Sequence, residues 1–346
     1  MAQEEKVNNV NNVDSNSSAD LEEEEVYFQD IVLLLEQGIP REDVERLKAA
    51  GINTIKGAQM AIRKKLLEIG GFNGEKIEKV KEACTNISLG TGFTTALQVA
   101  DQRKQVFKLS TGSKDMDKLL GGGVESMAIT EVFGEFGTGK TQLSHTLCVT
   151  AQMPGLNGYI GGKVIFIDTE NTFRPDRLRS IADRFNLDQT AVLDNILYAR
   201  AYNSEHQHDL INKAAARLHE EAGVFKLIIV DSIMALFRVD FVGRGEIAYR
   251  QQKLGQMLSR LQKISEEFNI VIFATNQITS DLTQIEQPDV QKPIGGNILA
   301  HAMTTRVSLH KNLKGRRVAK IFDSPDVEQG EVEFSITAGG ITDAEN

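Results

Sequence analysis

Tryptophan is absent from this chain of 346 residues, and cysteine, with two residues, and proline, with six, are scarce. Cys84 and Cys148 cannot build a disulfide framework, so the composition is typical of a reducing compartment. No cysteines and histidines have the spacing of a zinc site. The sequence therefore excludes the small disulfide-rich and zinc-ribbon classes of protein.

Long apolar runs are also missing. None approaches the ~20 residues that a membrane-spanning helix needs, and the acidic, asparagine-rich start does not resemble a targeting peptide. The chain has 41% hydrophobic and 25% charged residues. We therefore expect a soluble globular protein without a membrane partner, long enough for two domains.

The net charge of −9 is unevenly distributed along the chain. Residues 1–30 hold nine acidic side chains and one lysine, which leaves the other 316 residues with a net charge of −1. An overall acidic balance therefore does not exclude nucleic acid as a partner, because basic surfaces can be local.

The strongest motif is the string GEFGTGKT over residues 134–141, which has the phosphate-loop pattern G-x-x-x-x-G-K-[ST]. Its glycines allow backbone N–H groups to surround phosphate oxygens, at the N-terminus of the helix that follows. Lys140 can then reach the β- and γ-phosphates, and the Thr141 hydroxyl can bind Mg²⁺. An apolar strand over 128–133 and a helix over 142–152 are predicted on either side, so we predict a nucleotide site.

Apolar runs alternate with helical segments from Leu109 onward. The runs at 163–168, 227–231 and 270–275 are continuously apolar, which is typical of parallel strands covered on both faces. We predict an α/β core, with ligands at the carboxyl ends of its strands.

Three of those ends carry polar side chains beside the predicted phosphate loop. Asp231 follows an apolar strand and is placed to help hold Mg²⁺. Glu170 follows another and could polarise an attacking water, or be a solvated loop acid. Gln277 could contact the γ-phosphate, or be an ordinary polar loop residue.

Two loops follow these strand ends. The first contains Arg238, Phe241, Arg244 and Arg250, a combination that suits phosphate contact with a stacking aromatic, although a solvated surface loop is the alternative. The second, over 278–293, is polar and has one basic residue, Lys292. Its composition alone does not indicate which of its residues contact DNA.

Before the α/β core, which spans 109–346, we predict a disordered acidic tail over 1–22, a helical domain over 23–87 and a linker over 88–108. The helical pattern comprises a stripe of Ile31, Leu34 and Leu35, a helix ending before Gly51, a third helix over about 58–69 and a fourth over 75–83. Two helices joined by the glycine turn at 70–74 fit a helix-hairpin-helix module and an ordinary bundle equally well.

Taken together, these residues resemble the RecA-like strand-exchange recombinases of eukaryotes over about residues 25–346. The resemblance rests on the strings GEFGTGKTQ, DTENTFRPDRL, LIIVDS, FVGRGEIAYRQQ, TNQ, KPIGGNILAHA and FDSP, in the family's order. Asn171, where the general recombinase usually has glycine, and residues 251–267 are similar to the meiosis-specific branch. The resemblance implies a RecA-like P-loop ATPase core with a mainly parallel sheet and a small all-helical N-terminal domain.

The resemblance also implies roles for individual residues. ATP would be bound by Gly134, Glu135, Phe136, Gly137, Thr138, Gly139, Lys140 and Thr141. Lys140, Glu170 and Gln277 would be catalytic, with Glu170 activating water and Gln277 sensing the γ-phosphate, and Thr141 and Asp231 would hold Mg²⁺. Arg238, Phe241, Arg244 and Arg250 would contact DNA, and Asp323, Ser324 and Pro325 would cap the ATP of a neighbouring subunit. Phe93 and Ala96 would join subunits head to tail, in a contact that produces a helical filament or a ring.

The sequence departs from the family at Gly137, where arginine is usual, and in the second loop, which is about two residues short and more acidic. The implied function is ATP-dependent pairing and strand exchange on single- and double-stranded DNA in the nucleus, in meiosis, with recombination mediator proteins as partners. The alternatives are a general mitotic recombinase, an ATP-binding adaptor without strand exchange, and a motor or signalling ATPase indifferent to DNA. Glu170, Phe93 and Ala96 count against the adaptor, and the arginines of the first loop count against the motor.

Overall fold

The computed structural model describes residues 28–88, 93–155, 159–279 and 292–345. The predicted acidic tail over 1–22 lies outside these residues. No helix in the described ranges combines the length and the apolar character needed to cross a membrane.

The N-terminal segment is helical, as its periodicity predicts. Its elements are a 3₁₀ helix at Ile31–Leu35, α1 at Arg41–Ala49, α2 at Ile55–Met60, α3 at Arg63–Leu67 and α4 at Gly74–Ile87. Thr54 caps α2 and Asn73 caps α4 through side-chain oxygens. The predicted stripe is wrong at Leu35, which is 39% exposed. In a 3₁₀ helix, Ile31 and Leu34 share a face and the next residue turns away from it.

The predicted third helix over 58–69 is wrong, because the chain forms two short helices there. Ala61 and Ile62 adopt extended backbone angles between α2 and α3. The Lys81 ammonium donates to the carbonyls of Ala58, Gln59 and Ala61, at 2.9, 2.7 and 2.6 Å. A side chain therefore satisfies the three carbonyls at the point where the helix breaks.

The predicted linker contains a short helix, α5, at Ala96–Arg103. Thr95 and Gln98 form a reciprocal capping box at its start, which explains why a helix forms in a threonine-rich segment. None of its residues is buried.

A nine-stranded sheet forms the core, in the spatial order β13-β12-β11-β10-β3-β7-β6-β4-β5. Two two-stranded sheets accompany it, pairing β1 with β2 and β8 with β9. The strands are β1 Lys108–Leu109, β2 Val124–Glu125, β3 Ala128–Gly134, β4 Lys163–Asp168, β5 Ile196–Arg200, β6 Phe225–Asp231, β7 Val271–Asn276, β8 Ile278–Thr279, β9 Lys292–Pro293, β10 Thr305–Lys311, β11 Arg317–Asp323, β12 Glu331–Thr337 and β13 Gly340–Asp343.

The six strands from β10 to β5 are parallel, and β11 to β13 continue the sheet in antiparallel order. The core helices are α6 Lys114–Leu119, α7 Lys140–Thr150, α8 Pro175–Arg184, α9 Gln189–Asp194, α10 Ser204–Glu220, α11 Ala235–Asp240, α12 Ile247–Glu267 and α13 Gly296–Ala302, with a 3₁₀ turn at Arg244–Glu246.

Alternate residues of the central strands enter two separate hydrophobic clusters. On β4, Val164 and Phe166 join a cluster that includes Leu147 of α7, whereas Ile165 and Ile167 join one that includes Leu258 of α12. The parallel strands are therefore buried on both faces, and the carboxyl ends of β3, β4, β6 and β7 meet at one edge.

Candidate nucleotide site and DNA-binding segments

The phosphate loop links the buried strand β3 to helix α7, which begins at Lys140. A Cβ added to Gly134 would lie 2.1 Å from the Leu309 carbonyl oxygen, so only glycine allows the two strands to approach here. The Lys140 ammonium donates to the carbonyls of Gly134 and Glu135, both at 2.8 Å. Thr138 donates to the Glu135 carbonyl at 2.8 Å, which closes the turn.

The charge of Lys140 is balanced by acids across the loop. Burial lowers the pKa of Lys140, whereas Asp231, Glu170 and Glu135 act to raise it. An ammonium held by carbonyls at a helix N-terminus is placed to donate to phosphate oxygens in exchange for these contacts.

Asp231 ends β6 and is 3% exposed. Burial raises its pKa to about 6; Glu170 and Asp168 add to the rise, and hydrogen bonds from Thr275 and Thr141 oppose it. Its Oδ2 atom is buried and has no hydrogen-bond partner among the described residues. A buried carboxylate oxygen without a donor, beside a threonine hydroxyl, fits a hard divalent cation.

Glu170 lies in a turn that a neighbouring carboxylate organises. Asp168 is fully buried, and its Oδ1 accepts from the backbone N–H groups of Glu170 at 2.9 Å and Asn171 at 2.7 Å. Asp168 Oδ2 accepts from the Phe173 N–H at 3.2 Å. The Asp168 side chain thus fixes the turn that exposes Glu170. This role of Asp168 was not predicted, although an aspartate that ends a strand before a polar turn is a recognisable signal.

Gln277 connects the predicted catalytic acid to the predicted DNA-binding segment. Its Nε2 donates to Glu170 Oε1 at 2.8 Å, and its Oε1 accepts from Arg238 Nη1 at 2.7 Å. One amide side chain therefore contacts both groups at once.

These residues surround one cleft of about 990 Å³. The predicted residues that line it are Gly134, Glu135, Phe136, Gly137, Gly139, Lys140, Thr141, Glu170, Asp231 and Gln277. Arg174, Arg177 and Arg317 also line it and were missed by the sequence reasoning. Arg174 and Arg177 lie in the string DTENTFRPDRL, whereas Arg317 begins β11, so only the folded sheet shows that the three converge on the cleft.

The first predicted loop is wrong as a loop, because most of it is helical. Arg238 belongs to α11 and Arg250 to α12, with a 3₁₀ turn from Arg244 to Glu246 between them. Phe241 is half-buried, with its ring centroid 6.0 Å from that of Phe237. The helices are favoured because Phe237 is buried against the sheet.

In the second predicted loop, residues 280–291 lie outside the described part of the chain. Its two ends pair as β8 and β9. Asn276 Nδ2 donates to the Ile294 carbonyl at 2.6 Å, and the Ile294 N–H donates to the Gln277 carbonyl at 3.0 Å.

A buried polar cluster supports this region. Glu131 is fully buried and accepts from Arg306 Nε at 2.6 Å and from Asn276 Nδ2 at 2.7 Å. The Arg306 guanidinium lies near the rings of both Phe133 and Phe322, 5.6 and 5.2 Å from their centroids. The cluster is not recognisable in the sequence, since its members come from β3, β7, β10 and β11.

The predicted ATP cap lies away from the phosphate loop of its own chain. Asp323 ends β11 opposite Arg306, whose partner on β3 is Glu131, three residues before Gly134. Asp323, Ser324 and Pro325 are not among the described residues that line the 990 Å³ cleft.

The predicted self-association residues both lie on the surface. Phe93 is 93% exposed, and Ala96 is the exposed first residue of α5. Leu97 on the same helix is 73% exposed. The segment therefore presents apolar groups outward from a helix that buries none of its own.

Comparison with known proteins decides the family. A family model described as Rad51 matches residues 102–344. The chain belongs to the Rad51 family. Rad51-family proteins are DNA-dependent RecA-type ATPases that use ATP with a divalent cation and form oligomeric filaments on DNA. The predictions of family, fold class and enzyme class are therefore confirmed.

The chain is similar along most of its length to several proteins named as meiotic recombination protein DMC1 homologs. The meiotic recombination protein DMC1/LIM15 homolog of Mus musculus is 64% identical over 325 residues, which cover 93% of this chain and 95% of that protein. The homolog of Homo sapiens is 63% identical with the same coverage. The meiotic recombination protein DMC1 homolog A of Oryza sativa subsp. japonica is 52% identical over 327 residues, 94% of each chain.

Asn171 and Gly137, both singled out from the sequence, lie at backbone positions with positive φ. Asn171 has a φ of 61°, in the left-handed region that asparagine tolerates nearly as well as glycine. Gly137 has a φ of 78°, and a Cβ there would meet only Lys311 Nζ, at 3.9 Å. At Gly137, glycine removes the strain that another side chain would bring to this turn.

Proposed function

We propose that this chain is a meiotic strand-exchange recombinase, which acts in the nucleus on single-stranded DNA and homologous duplex DNA. The observation that supports this most directly is the Gln277 amide, which contacts Glu170 at the nucleotide cleft and Arg238 in the DNA-binding segment. Pairing and exchange on DNA require that occupancy of the cleft alter DNA contacts, and this amide is a direct route between the two.

At the nucleotide cleft, the residues of the phosphate loop and Lys140 would bind the phosphates of ATP. Thr141 and Asp231 would hold Mg²⁺, which when bound neutralises the phosphate charge. Glu170 would orient and polarise the attacking water, held in place by the turn that Asp168 organises.

Gln277 would act as the sensor of the γ-phosphate. Its Nε2 donates to Glu170, and a γ-phosphate oxygen would compete for this amide, so binding of ATP would shift it relative to Glu170. The contact with Arg238 would change with it, which frees the guanidinium for a DNA phosphate. Phe241, Arg244 and Arg250 would complete the DNA contacts of this segment.

Association of subunits would complete the nucleotide site with residues from a neighbouring subunit. Phe93 and Ala96 would enter apolar pockets on the next subunit, and that head-to-tail contact would extend into a filament. Asp323, Ser324 and Pro325 would then cap the ATP of a neighbour, consistent with their distance from the cleft of their own chain. Recombination mediator proteins would load the filament on DNA.

A strand-exchange assay with purified chain, ATP and Mg²⁺, together with electron microscopy of the DNA complex, tests the proposal. We expect filaments on single-stranded DNA and joint molecules with homologous duplex only. Gln277→Met should keep ATP and DNA binding but lose the ATP-dependent gain in DNA affinity, since an apolar side chain of similar length forms no hydrogen bond to Glu170, Arg238 or phosphate. Unchanged coupling in that variant, or filaments without strand exchange in the wild type, would contradict the proposal.

A further inference from the structure

A second cleft, of about 620 Å³, lies between the N-terminal helices and α12. Four basic residues line it: Lys64 and Lys65 from α3, and Arg260 and Lys263 from α12. The acids that line it are Glu68 and Glu267, and Glu267 already accepts a hydrogen bond from Thr54. The charged groups of this basic cleft therefore sum to a net positive charge.

The cations of the basic cleft are incompletely satisfied. Arg260 Nε is buried and has no hydrogen-bond partner among the described residues. Lys263 donates to a neutral acceptor, the Met60 carbonyl, at 2.7 Å. Burial lowers the pKa of the Lys65 ammonium, and the charges of Arg260 and Lys263 lower it further. An anion in the basic cleft would relieve this repulsion.

The N-terminal tail enters the fold beside the basic cleft. The Phe28 ring packs on Phe268, at 5.5 Å between centroids, and on His219, at 5.3 Å. Phe268 is the C-cap of α12. At ~1.5 Å per helical residue, Lys263 lies about 7.5 Å and Arg260 about 12 Å back along α12 from that point.

The chain that precedes Phe28 is strongly acidic. Residues 1–27 contain eight acidic side chains and one lysine, and four consecutive glutamates occupy 22–25. These glutamates are three to six residues before Phe28, within about 10–20 Å of it for an extended chain of ~3.3 Å per residue. The acidic run can therefore reach Lys263 and Arg260.

We propose that the acidic run Glu22–Glu25 occupies the basic cleft of its own chain and keeps it from binding other polyanions. Nucleic acid is the competing occupant, because its phosphates have the same charge. The tail is favoured because its attachment at Phe28 gives it a millimolar or higher local concentration at the cleft, whereas nucleic acid must arrive from solution.

A spin label on the tail tests the proposal in the full-length protein without added DNA. Cys84 and Cys148 are both buried, so Ala19→Cys offers the single exposed thiol for a nitroxide. We expect a slow component in its electron paramagnetic resonance spectrum. The component should disappear in 1 M NaCl, where the Debye length is ~3 Å, and when Glu22–Glu25 are all changed to glutamine.

Charge reversal in the cleft gives the matched comparison. Lys65→Glu with Lys263→Glu should release the label, whereas Lys118→Glu with Lys314→Glu, an equal charge change elsewhere, should not. The glutamine variant alters no described residue, so its result does not depend on folding of the cleft variants. A mobile label in the otherwise wild-type chain, or a slow component indifferent to charge, would overturn the proposal. A mobile label with duplex affinity lost only in the cleft variants would assign the cleft to nucleic acid instead.

Discussion

The raised pKa of Asp231 predicts how the stability of the folded protein depends on pH. Without a bound cation, burial raises this pKa from 3.8 to about 6. The folded state therefore binds the proton more tightly than the unfolded state does. The stabilisation is fully present below pH 3.8 and is lost as the pH rises through about 6.

Proton linkage, with the unfolded and folded pKa values of Asp231, predicts that the free energy of unfolding falls by about 1.4 kcal/mol between pH 5 and pH 7.5. For a domain of this size the loss corresponds to about 3–5 °C in Tm. Asp231→Asn removes the titration, so the stability of the variant relative to wild type should rise by that amount over the same interval. Any pH-independent effect of the asparagine amide on stability cancels when the two pH values are compared.

Thermal unfolding of both proteins without nucleotide, at the two pH values, measures the effect. Addition of ATP and Mg²⁺ at pH 7.5 should then stabilise wild type and leave Asp231→Asn nearly unchanged, because the variant lacks the anionic ligand. A pH-independent difference would refute the buried-acid reasoning, and equal stabilisation of both proteins by ATP and Mg²⁺ would refute the assignment of Asp231 to the cation.

Three further predictions concern the cleft, the DNA contacts and assembly. Lys140→Ala should abolish tight ATP binding, whereas Glu170→Gln should keep binding and slow hydrolysis by about 10²-fold or more; nucleotide affinity and steady-state turnover distinguish them, and wild-type turnover in Glu170→Gln would remove that residue from catalysis. Arg244→Ala should reduce the salt dependence of single-strand affinity by roughly one charge and leave ATP affinity unchanged; an unchanged salt slope in a folded variant would favour the solvated-surface alternative. Phe93→Glu should leave the subunit folded but abolish filaments and DNA-stimulated hydrolysis, because a charge would enter an apolar pocket; light scattering and electron microscopy measure this, with Ile160→Glu as the control at another exposed apolar residue, and normal filaments would return Phe93 to a role within its own subunit.

The sequence predicted well those features that follow from local pattern. The phosphate loop, the parallel strands and the polar residues at their ends were all placed correctly, because apolar runs and glycine spacing report backbone geometry directly. The break between α2 and α3 was not predictable, since it depends on Lys81, twenty residues further along the chain. Arg306, Glu131 and Arg317 were missed for the same reason, because their partners are brought together only by the order of strands in the sheet. The helices around Phe241 were missed because arginines and glycines obscure the apolar period there.

The anchored ends of the segment between Thr279 and Lys292 have an entropic consequence. The β8–β9 pair and the Asn276–Ile294 contact already bring the ends of this twelve-residue stretch together. The entropy of closing the loop is therefore lost when the core folds, and not when a ligand binds. That cost varies with the logarithm of chain length, and a change from fourteen to twelve residues alters it by only about 0.1 kcal/mol. The length of this segment is therefore nearly neutral for the stability of the core, so residues can be gained or lost here without a measurable change in the free energy of unfolding.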